Sequence, residues 1–371
     1  MIKLDRRLLL NFDWTLFVLV LIISGIGLLN IYSAGFSIAD LRQTPLYIKQ
    51  LQWILIGIVG MALAFFIDYR FLSRHAYVLY GISIILLLVV FTAGYATRGS
   101  QRWILIGGFT FQPSELVKLT VILALAKYFD RHQFARGYRL TELLVPFLIV
   151  LVPFLLILKQ PDLGTGLILF ILFLSIVFYV GLDWKALLIA AVGGIILIPI
   201  GWHFLKDYQR ERMLTFFSPD RDPLGSGYHI IQSMIAVGSG GFFGKGFLKG
   251  SQTQLKFLPE QQTDFVFSVF AEEWGFLGGI ILLVLFLFLI LWGLKIMIHS
   301  KDYLGALIAL GITMLIFWEV FINIGMVLGI LPVVGIPLPF LSYGGSSMVV
   351  LMMTVGLLMN ISVRRFILQS S

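Results

Sequence analysis

Leu258-Pro-Glu-Gln-Gln-Thr-Asp264 runs directly into a long apolar stretch, residues 265–293, and this junction decides the fold. The apolar stretch is longer than the ~20 residues that a helix needs to cross a bilayer. The seven residues before it close the chain's only extended polar segment, residues 206–264. A carboxylate at a membrane boundary is costly unless it faces water or a partner. The junction therefore predicts the start of a membrane helix and makes Asp264 a functional candidate.

The composition indicates a membrane protein. Hydrophobic residues make up 59% of the 371 residues and charged residues 12%, whereas a soluble domain carries about 25% charged residues. Apolar runs occur at residues 14–34, 50–67, 76–96, 114–129, 143–158, 164–182, 185–204, 265–293, 303–330 and 344–362. We therefore predict an all-α polytopic membrane protein with about ten transmembrane helices. They form a single integral membrane domain, 1–371, whose long extracytoplasmic loop, about 206–264, contains short interfacial helices.

The cations predict the orientation of these helices. With both termini cytoplasmic, fourteen of the 27 Lys and Arg residues fall on inner segments and six in or beside short outer loops. The remaining seven lie in the long loop, which the positive-inside rule does not count. The first span lacks an Ala-x-Ala cleavage site, so we expect it to remain as an anchor.

Charge and cysteine usage exclude several function classes. The net charge of +8 is explained by topology and anionic lipids, and no basic patch interleaved with aromatics indicates nucleic-acid binding. The chain has no cysteine, which excludes disulfides, thiolate catalysis and sulfur-ligated metal sites.

Several outer segments carry polar motifs at one predicted membrane face. Glu115 and Lys118 lie three residues apart on one face of the fourth span, and Asp162 is placed to cap the sixth. Residues 331–347 contain three prolines and a Gly-Gly pair. Such backbone at membrane depth is tolerated only around a cavity or inside protein. With the Asp264 junction, these segments predict a polar site at that face.

The long loop carries weaker signals. Residues 228–237 predict a short interfacial helix with an apolar stripe. Gly238-Ser-Gly-Gly241 and Gly244-Lys-Gly246 place glycine-rich backbone beside a lysine, a pattern that suits phosphate. Walker spacing is absent, so a plain flexible loop is the simpler interpretation.

Six motifs, in order and over essentially the whole chain, together resemble the SEDS family (shape, elongation, division and sporulation). They are Arg102-Trp-Ile104, Gln112-Pro-Ser-Glu-Leu-Val-Lys118, Gln160-Pro-Asp-Leu-Gly-Thr165, Asp222-Pro-Leu-Gly-Ser-Gly-Tyr-His-Ile-Ile-Gln-Ser233, Leu258-Pro-Glu-Gln-Gln-Thr-Asp-Phe265 and Pro339-Phe-Leu-Ser-Tyr-Gly-Gly-Ser-Ser347. Within the family the chain is most similar to the elongation branch, RodA, rather than the division branch, FtsW. That distinction rests on Gly335-Ile-Pro-Leu-Pro-Phe340 and Phe270-Ala-Glu-Glu-Trp-Gly275.

The resemblance implies a peptidoglycan glycosyltransferase of the bacterial cytoplasmic membrane. Such enzymes polymerise lipid II into glycan strands on the outer membrane face during elongation and rod-shape maintenance. They act beside a class B penicillin-binding protein, which crosslinks the product, and other elongation proteins. The position of Asp264 corresponds to the family's essential acid. Because an α-linked diphosphate leaves while a β-1,4 bond forms, the reaction inverts the anomeric carbon.

This chemistry assigns roles to the candidates. Asp264 is the predicted base for the attacking 4-hydroxyl, and burial is expected to raise its pKa above about 3.9. The predicted diphosphate ligands are Arg102, Lys118, Arg210 and Arg212, with Arg98 and Lys245 behind them. The predicted lining residues are Trp103, Gln112, Glu115, Asp162, Ser342 and Ser346.

No protein metal site is predicted, and no dedicated carboxylate cluster demands one. A divalent cation, magnesium or manganese, stays open as a partner of the diphosphate. Asp162, Glu115 and Asp264 are the carboxylates that folding would have to bring together to bind it.

Several candidates have a structural alternative. Position alone makes Asp264 or Asp162 equally a helix N-cap. An intrahelical pair explains Glu115 with Lys118, and an interfacial anchor explains Arg102.

Other polar residues are assigned as follows. The turn at residues 342–347 lacks a His–Asp set, so it is expected to shape backbone or line substrate. Glu319 and Asn323 are expected to be buried and paired, and one of Glu272 and Glu273 to face the cavity.

Two other functions remain open: a lipid-linked sugar flippase or transporter, and a non-catalytic scaffold of the elongation machinery. A transporter also has many spans and broken helices, but the embedded charges crowd one face rather than forming a path through the midplane. The scaffold leaves Asp264 and the cations unexplained.

Overall fold

The fold is a bundle of long helices, seen in a computed structural model. The structure describes residues 11–36, 46–97, 100–106, 109–134, 136–189, 193, 203, 207–218, 226–258 and 260–365. The long helices are α1 (Trp14–Gly35), α2 (Leu46–Phe66), α4 (Ala76–Ala93), α5 (Pro113–Arg131), α6 (Leu144–Lys159), α7 (Leu163–Val180), α11 (Val266–Ile298), α12 (Tyr303–Val327) and α13 (Gly345–Arg364). The shorter helices are α3 (Tyr69–Arg74), α8 (Asp207–Phe217), α9 (Ser226–Ser239) and α10 (Ser251–Gln254).

These helices confirm the all-α membrane class. Nine of the ten predicted spans coincide with long helices of the described residues, and six of those helices are long and apolar enough to cross a membrane. The seventh predicted span, 185–204, lies largely outside the described residues. The short helix predicted at 228–237 is present as α9, and its interfacial position stays a prediction.

A three-stranded antiparallel sheet adds to the predicted fold. Its strands are β1 (Tyr95–Thr97), β2 (Ser100–Ile106) and β3 (Phe109–Phe111), in that order across the sheet. β2 pairs with β3 through Ile104 opposite Phe111. Strands this short are specified by their partners rather than by their own periodicity, so the sequence alone did not reveal them. The sheet lies between α4 and α5 and carries Arg102.

The helix after Asp264 is broken. Gly275 has φ 65° and ψ −164°, and a Cβ there would lie 2.2 Å from the Gly244 backbone nitrogen. The 241–246 loop fills the break: Lys245 N–H donates to the Glu272 carbonyl (3.0 Å), and Phe276 N–H donates to the Gly241 carbonyl (2.9 Å). Backbone groups freed at membrane depth must be satisfied by protein. α11 therefore consists of a short segment before Gly275 and a longer segment after it.

Burial identifies the centre of the bundle. In their most apolar windows α12 is 78% and α13 is 83% buried, against 33% for both α2 and α11. α12 and α13 therefore form the core, while α2 and α11 keep wide faces for lipid. A Cβ on Gly356 would lie 2.2 Å from the Met61 carbonyl oxygen, so glycine allows α13 to approach α2 closely.

Ion pairs connect the helices at one end of the bundle, where the described chain both begins and finishes. Arg70 Nη2 lies 2.7 Å from Asp302 Oδ2, and Arg364 Nη1 lies 2.8 Å from Asp68 Oδ2. Asn360, fully buried on α13, accepts from Tyr69 N–H at 3.1 Å and donates to the Phe65 carbonyl at 2.5 Å. Asp264 and the polar motifs lie at the opposite end.

Candidate active site at one end of the bundle

Asp264 lies in a turn that is held from several sides. Asn323 Nδ2 on α12 donates to the Asp264 carbonyl at 2.9 Å. Ser342 Oγ donates to the Thr263 carbonyl at 2.6 Å, and Tyr343 N–H donates to the Gln262 carbonyl at 2.8 Å. These contacts fix the backbone of residues 262–264. They therefore fix the point from which the Asp264 side chain projects.

The structure does not support the N-cap alternative for Asp264. The cap position of α11 is Phe265, and no side chain makes a cap hydrogen bond there. The carboxylate is half-buried, and burial raises its pKa to about 6, with Asp162 adding to the increase. Arg212 and Arg102 lower the pKa, as does a hydrogen bond from Thr263, but burial outweighs them. A carboxyl group poised near neutrality is suited to proton transfer.

Arg102 and Asp162 join this site. Arg102 Nη1 lies 3.8 Å from Asp162 Oδ1. Arg102 also donates to the carbonyls of Gln160 (2.9 Å) and Pro161, at the end of α6. A cation is favoured at a helix C-terminus, so this arginine is fixed by protein groups rather than acting as a membrane anchor.

Asp162 does cap its helix, and it also faces the site. It accepts from Thr165 N–H at 3.2 Å and from Gln112 Nε2 at 3.4 Å. The capping interpretation is therefore correct for this residue, and its role in binding substrate stays a prediction. Gln112 also donates its backbone N–H to Ser346 Oγ at 2.9 Å, which connects α5 with α13.

The proline-rich segment, residues 331–344, forms one wall of the site. Gly335, at φ +75°, lies so close that a Cβ would be 3.3 Å from Asp264 Oδ2. Ser342 Oγ accepts from Leu338 N–H at 2.7 Å while donating to Thr263. Ser342 therefore helps to shape the backbone of this turn, as predicted. Ser342 and Ser346 are both buried, with their hydroxyls engaged by protein groups.

Lys118 is placed differently from the predicted diphosphate contact. It is 3% exposed, and its Nζ lies 2.8 Å from Glu115 Oε2 and 2.5 Å from Glu319 Oε1. The pairing with Glu115 was foreseen, but Glu319 comes from α12, 201 residues away. Glu319 is thus buried as expected but pairs with Lys118 rather than Asn323. The ammonium between two carboxylates is neutralised by protein and is not presented to a ligand.

The remaining predicted site residues lie in different places. Arg212 lies beside the site, with Nη1 3.3 Å from the Val333 carbonyl oxygen. Arg210, on the same short helix, donates to the His203 carbonyl at 2.7 Å. Trp103 is half-buried on β2 next to Arg102. Arg98 lies outside the described residues.

Lys245 belongs to a separate cluster around Glu272. Its Nζ lies 2.7 Å from Glu272 Oε1, and Glu272 also accepts from Gln252 N–H (3.0 Å) and Thr253 N–H (3.2 Å). Glu273 accepts from Ser33 Oγ on α1 and from Leu248 N–H at 3.2 Å. The structure thus gives both acids protein partners, so the expectation that one of them faces the cavity is wrong.

The carboxylates proposed for a divalent cation do not converge as a trio. Glu115 is held by Lys118, away from the Asp162 and Asp264 pair. Within the described ranges no three Asp, Glu or His side chains come close enough to bind a metal ion. The donor set therefore does not fit a resident metal, and no step is derived through one.

Two site residues were not recognised from the sequence. Asn30, inside the first apolar run, donates to the Val266 carbonyl at 2.8 Å, and Asn323 was assigned to packing. The available signal was a single amide inside a long apolar run, which in membranes marks an interhelical contact. The sequence did not show which carbonyl each amide would contact.

Comparisons with known proteins agree with this fold. The family described as "cell cycle protein", that of FtsW, RodA and SpoVE, matches residues 13–366. The chain is similar to the peptidoglycan glycosyltransferase MrdB of Escherichia coli (strain K12), 44% identical over 87% of each chain. It is also 35% identical to the peptidoglycan glycosyltransferase RodA of Treponema pallidum (strain Nichols), over 96% of this chain and 98% of that one.

Two solved structures are similar over the whole fold. One is described as "Structural coordination of polymerization and crosslinking by a peptidoglycan synthase complex", with TM-score 0.81 and 36% identity. The other is the rod shape determining protein RodA of Thermus thermophilus, with TM-score 0.71 and 31% identity. Each covers 96% of this chain and 98% of the matched chain.

Proposed function

The chain belongs to the FtsW, RodA and SpoVE family and is a peptidoglycan glycosyltransferase, and from this premise we propose that it polymerises lipid II with Asp264 as the general base. The observation that carries the assignment is the position of Asp264. Its carboxylate is half-buried beside two arginines, is not used as a helix cap, and has a pKa raised to about 6.

In the proposed reaction, the acceptor's 4-hydroxyl attacks the anomeric carbon of the donor sugar. The O–C bond forms on the face opposite the diphosphate, the C–O bond to the diphosphate breaks, and the configuration inverts. Asp264 takes the hydroxyl proton. A placed carboxylate base typically contributes ~10²–10⁴-fold, and a raised pKa makes it a stronger base than an exposed aspartate.

The departing undecaprenyl diphosphate needs positive charge. Arg102 and Arg212 are the predicted ligands whose charges act on Asp264, since both lower its pKa. The contacts of Arg102 with the end of α6 pre-orient its guanidinium, which reduces the reorganisation required as charge develops. Lys118 and Lys245 are not part of this proposal, because buried carboxylates pair with them, and Arg210 is left out because the cations that lower the pKa of Asp264 are Arg212 and Arg102.

An apolar groove beside the site suits the lipid chain. It has a volume of about 410 Å³ and is lined by Trp53, Phe111, Val349 and Met353 together with Thr110 and Ser346. Ser346 bonds the Gln112 backbone, so the groove begins where the polar site ends. We assign this groove to part of the polyprenyl chain.

Sidedness and partnership complete the proposal. The excess of cations at the opposite end supports cytoplasmic termini and an extracytoplasmic site. The similar structure described as a synthase complex coordinates polymerization and crosslinking. We infer that this chain likewise works with a class B penicillin-binding protein, in cell elongation and rod-shape maintenance.

The test is polymerisation of lipid II by the purified full chain, alone and with its transpeptidase partner. Wild-type protein is expected to make glycan strands and Asp264→Asn none, with equal folding and partner binding. Full polymerisation by Asp264→Asn would remove the base assignment. No strands from wild type under either condition, with lipid II crossing liposome bilayers instead, would favour a flippase.

A further inference from the structure

Two buried asparagines donate hydrogen bonds to the backbone at the proposed base and two residues after it. Asn323 on α12 donates to the Asp264 carbonyl at 2.9 Å, and Asn30 on α1 donates to the Val266 carbonyl at 2.8 Å. The two carbonyls belong to the turn from which α11 begins. Two helices that are distant in sequence thus hold the same turn through the same chemical group.

Asn323 makes a second contact that reaches the wall of the site. Its Nδ2 also donates to the Ile336 carbonyl at 2.7 Å, so both amide hydrogens are used. Ile336 follows Gly335, whose backbone packs against Asp264 Oδ2. One side chain therefore joins the turn that carries the carboxylate to the segment that covers it.

Packing alone does not explain these asparagines. Asn323 is 0% and Asn30 is 2% exposed, and neither Oδ1 atom finds a hydrogen-bond partner among the described residues. Burying an amide oxygen without a partner is unfavourable, and Asn is a poor former of helix interiors. What each amide supplies in return is a donor for the backbone carbonyls beside Asp264.

We propose that Asn323 and Asn30 are positioning residues that hold the Asp264 turn so that its carboxylate stays in its half-buried place between Gly335 and the arginines. The proposal rests on the assignment of Asp264 as base. Without Asn323, the turn loses its tie to Ile336 and the carboxylate moves toward water. The charged groups that face it are Asp162 at the start of α7, Arg212 on α8 and Arg102 on β2.

The test compares two matched substitutions in the full chain. Asn323→Leu removes the donor at nearly constant volume. Asn360→Leu is the control, because Asn360 is equally buried and donates to a carbonyl, but at the opposite end of the bundle. The measurements are kcat and KM for lipid II polymerisation, kcat against pH, and Tm.

Asn323→Leu is expected to lower kcat per folded molecule at least tenfold and to change KM little, with a loss of Tm no larger than that of Asn360→Leu. It is also expected to move the acid limb of kcat to lower pH, because a carboxylate exposed to water regains its ordinary pKa. Asn30→Leu is expected to do the same to a smaller degree, since it has no tie to the covering segment. Asn360→Leu is expected to lower Tm without altering kcat per folded molecule or its pH profile.

Unchanged kcat and pH profile in Asn323→Leu would overturn the proposal. So would failure of both site variants to fold while Asn360→Leu folds, since that result assigns the two amides to assembly. Asp264→Asn is measured in parallel. If it is inactive while Asn323→Leu is fully active, only the positioning role fails; if it is fully active, the base assignment itself fails.

Discussion

Asp264 and Glu272 lie about two turns apart around the start of α11, yet the protein treats their carboxylates in opposite ways. Glu272 is 0% exposed and is met by Lys245 Nζ, by the Gln252 and Thr253 backbone N–H groups, and by the Thr253 hydroxyl at 3.0 Å. Asp264 is half-buried, and its nearby arginines do not offset burial, so its pKa rises to about 6.

This difference separates a structural acid from the proposed base. Hydrogen-bond donors directed at a carboxylate stabilise its charged form and remove its tendency to take a proton. Glu272 therefore ties the 245–253 loop to the broken helix. Asp264, without such a shell, keeps its affinity for a proton close to working pH. Glu272 is the more deeply buried of the two acids, so the number of donors around each carboxylate, rather than burial, distinguishes them.

The largest effect is expected from exchanging each acid for its amide. Asp264→Asn should lower polymerisation by ~10²–10⁴-fold, the usual contribution of a general base, without loss of Tm. Glu272→Gln should retain activity per folded molecule but lose about 3 kcal/mol of stability, because Lys245 is left without its partner. Polymerisation and thermal unfolding of the two variants measure both effects.

The opposite pattern would break the comparison. A stable but inactive Glu272→Gln would place Glu272 in the chemistry. An active but unstable Asp264→Asn would make Asp264 a structural residue.

Lys118 provides a third test of whether a buried charge is structural or acts on the substrate. Lys118→Met leaves Glu115 and Glu319 buried without a cation, which is expected to cost about 3–5 kcal/mol. We expect poor folding, and recovery when Glu115→Gln and Glu319→Gln are added. If Lys118 instead bound the diphosphate, Lys118→Met would raise KM in a fully folded protein. Yield, Tm and KM of the single and triple variants decide between them.

The pH dependence follows from the pKa of Asp264. Because the base must be ionised, kcat/KM should fall about tenfold per unit as pH drops below about 6. Stability has the opposite sign: the folded state holds this proton more tightly than the unfolded one, so stability rises as pH falls from about 6 toward 3.8. Asp264→Asn should lack this rise. An acid limb near pH 4 in the wild type would contradict the assignment.

The smallest effect compares two arginines of α8. Arg212→Ala should lower kcat/KM about tenfold, as expected for one charge-assisted contact of ~1.5 kcal/mol. It should also move the acid limb to higher pH, because Arg212 lowers the pKa of Asp264. Arg210→Ala is the control and should leave both unchanged, since Arg210 bonds the His203 carbonyl. Equal losses in the two variants would indicate a general electrostatic effect of the loop.

Much of the fold was readable from the sequence. The length and spacing of apolar runs are local properties, so nine spans were placed before any contact was known. The position of Asp264 at the junction of a polar loop with an apolar run was likewise visible. The resemblance to the SEDS family added the reaction, and the match over residues 13–366 confirms that family.

The state of each charge was decided by tertiary structure. Lys118 was assigned to the substrate because its partner Glu319 is 201 residues away, and Lys245 because Glu272 reaches it only across the break at Gly275. Asn323 was assigned to packing because the Asp264 carbonyl approaches it only when α11 and α12 are side by side. A sequence shows which residues carry charge and how far apart they lie along the chain. Whether a charge is neutralised depends on what the fold brings within 3 Å of it, and here that separates the proposed base from the structural acids.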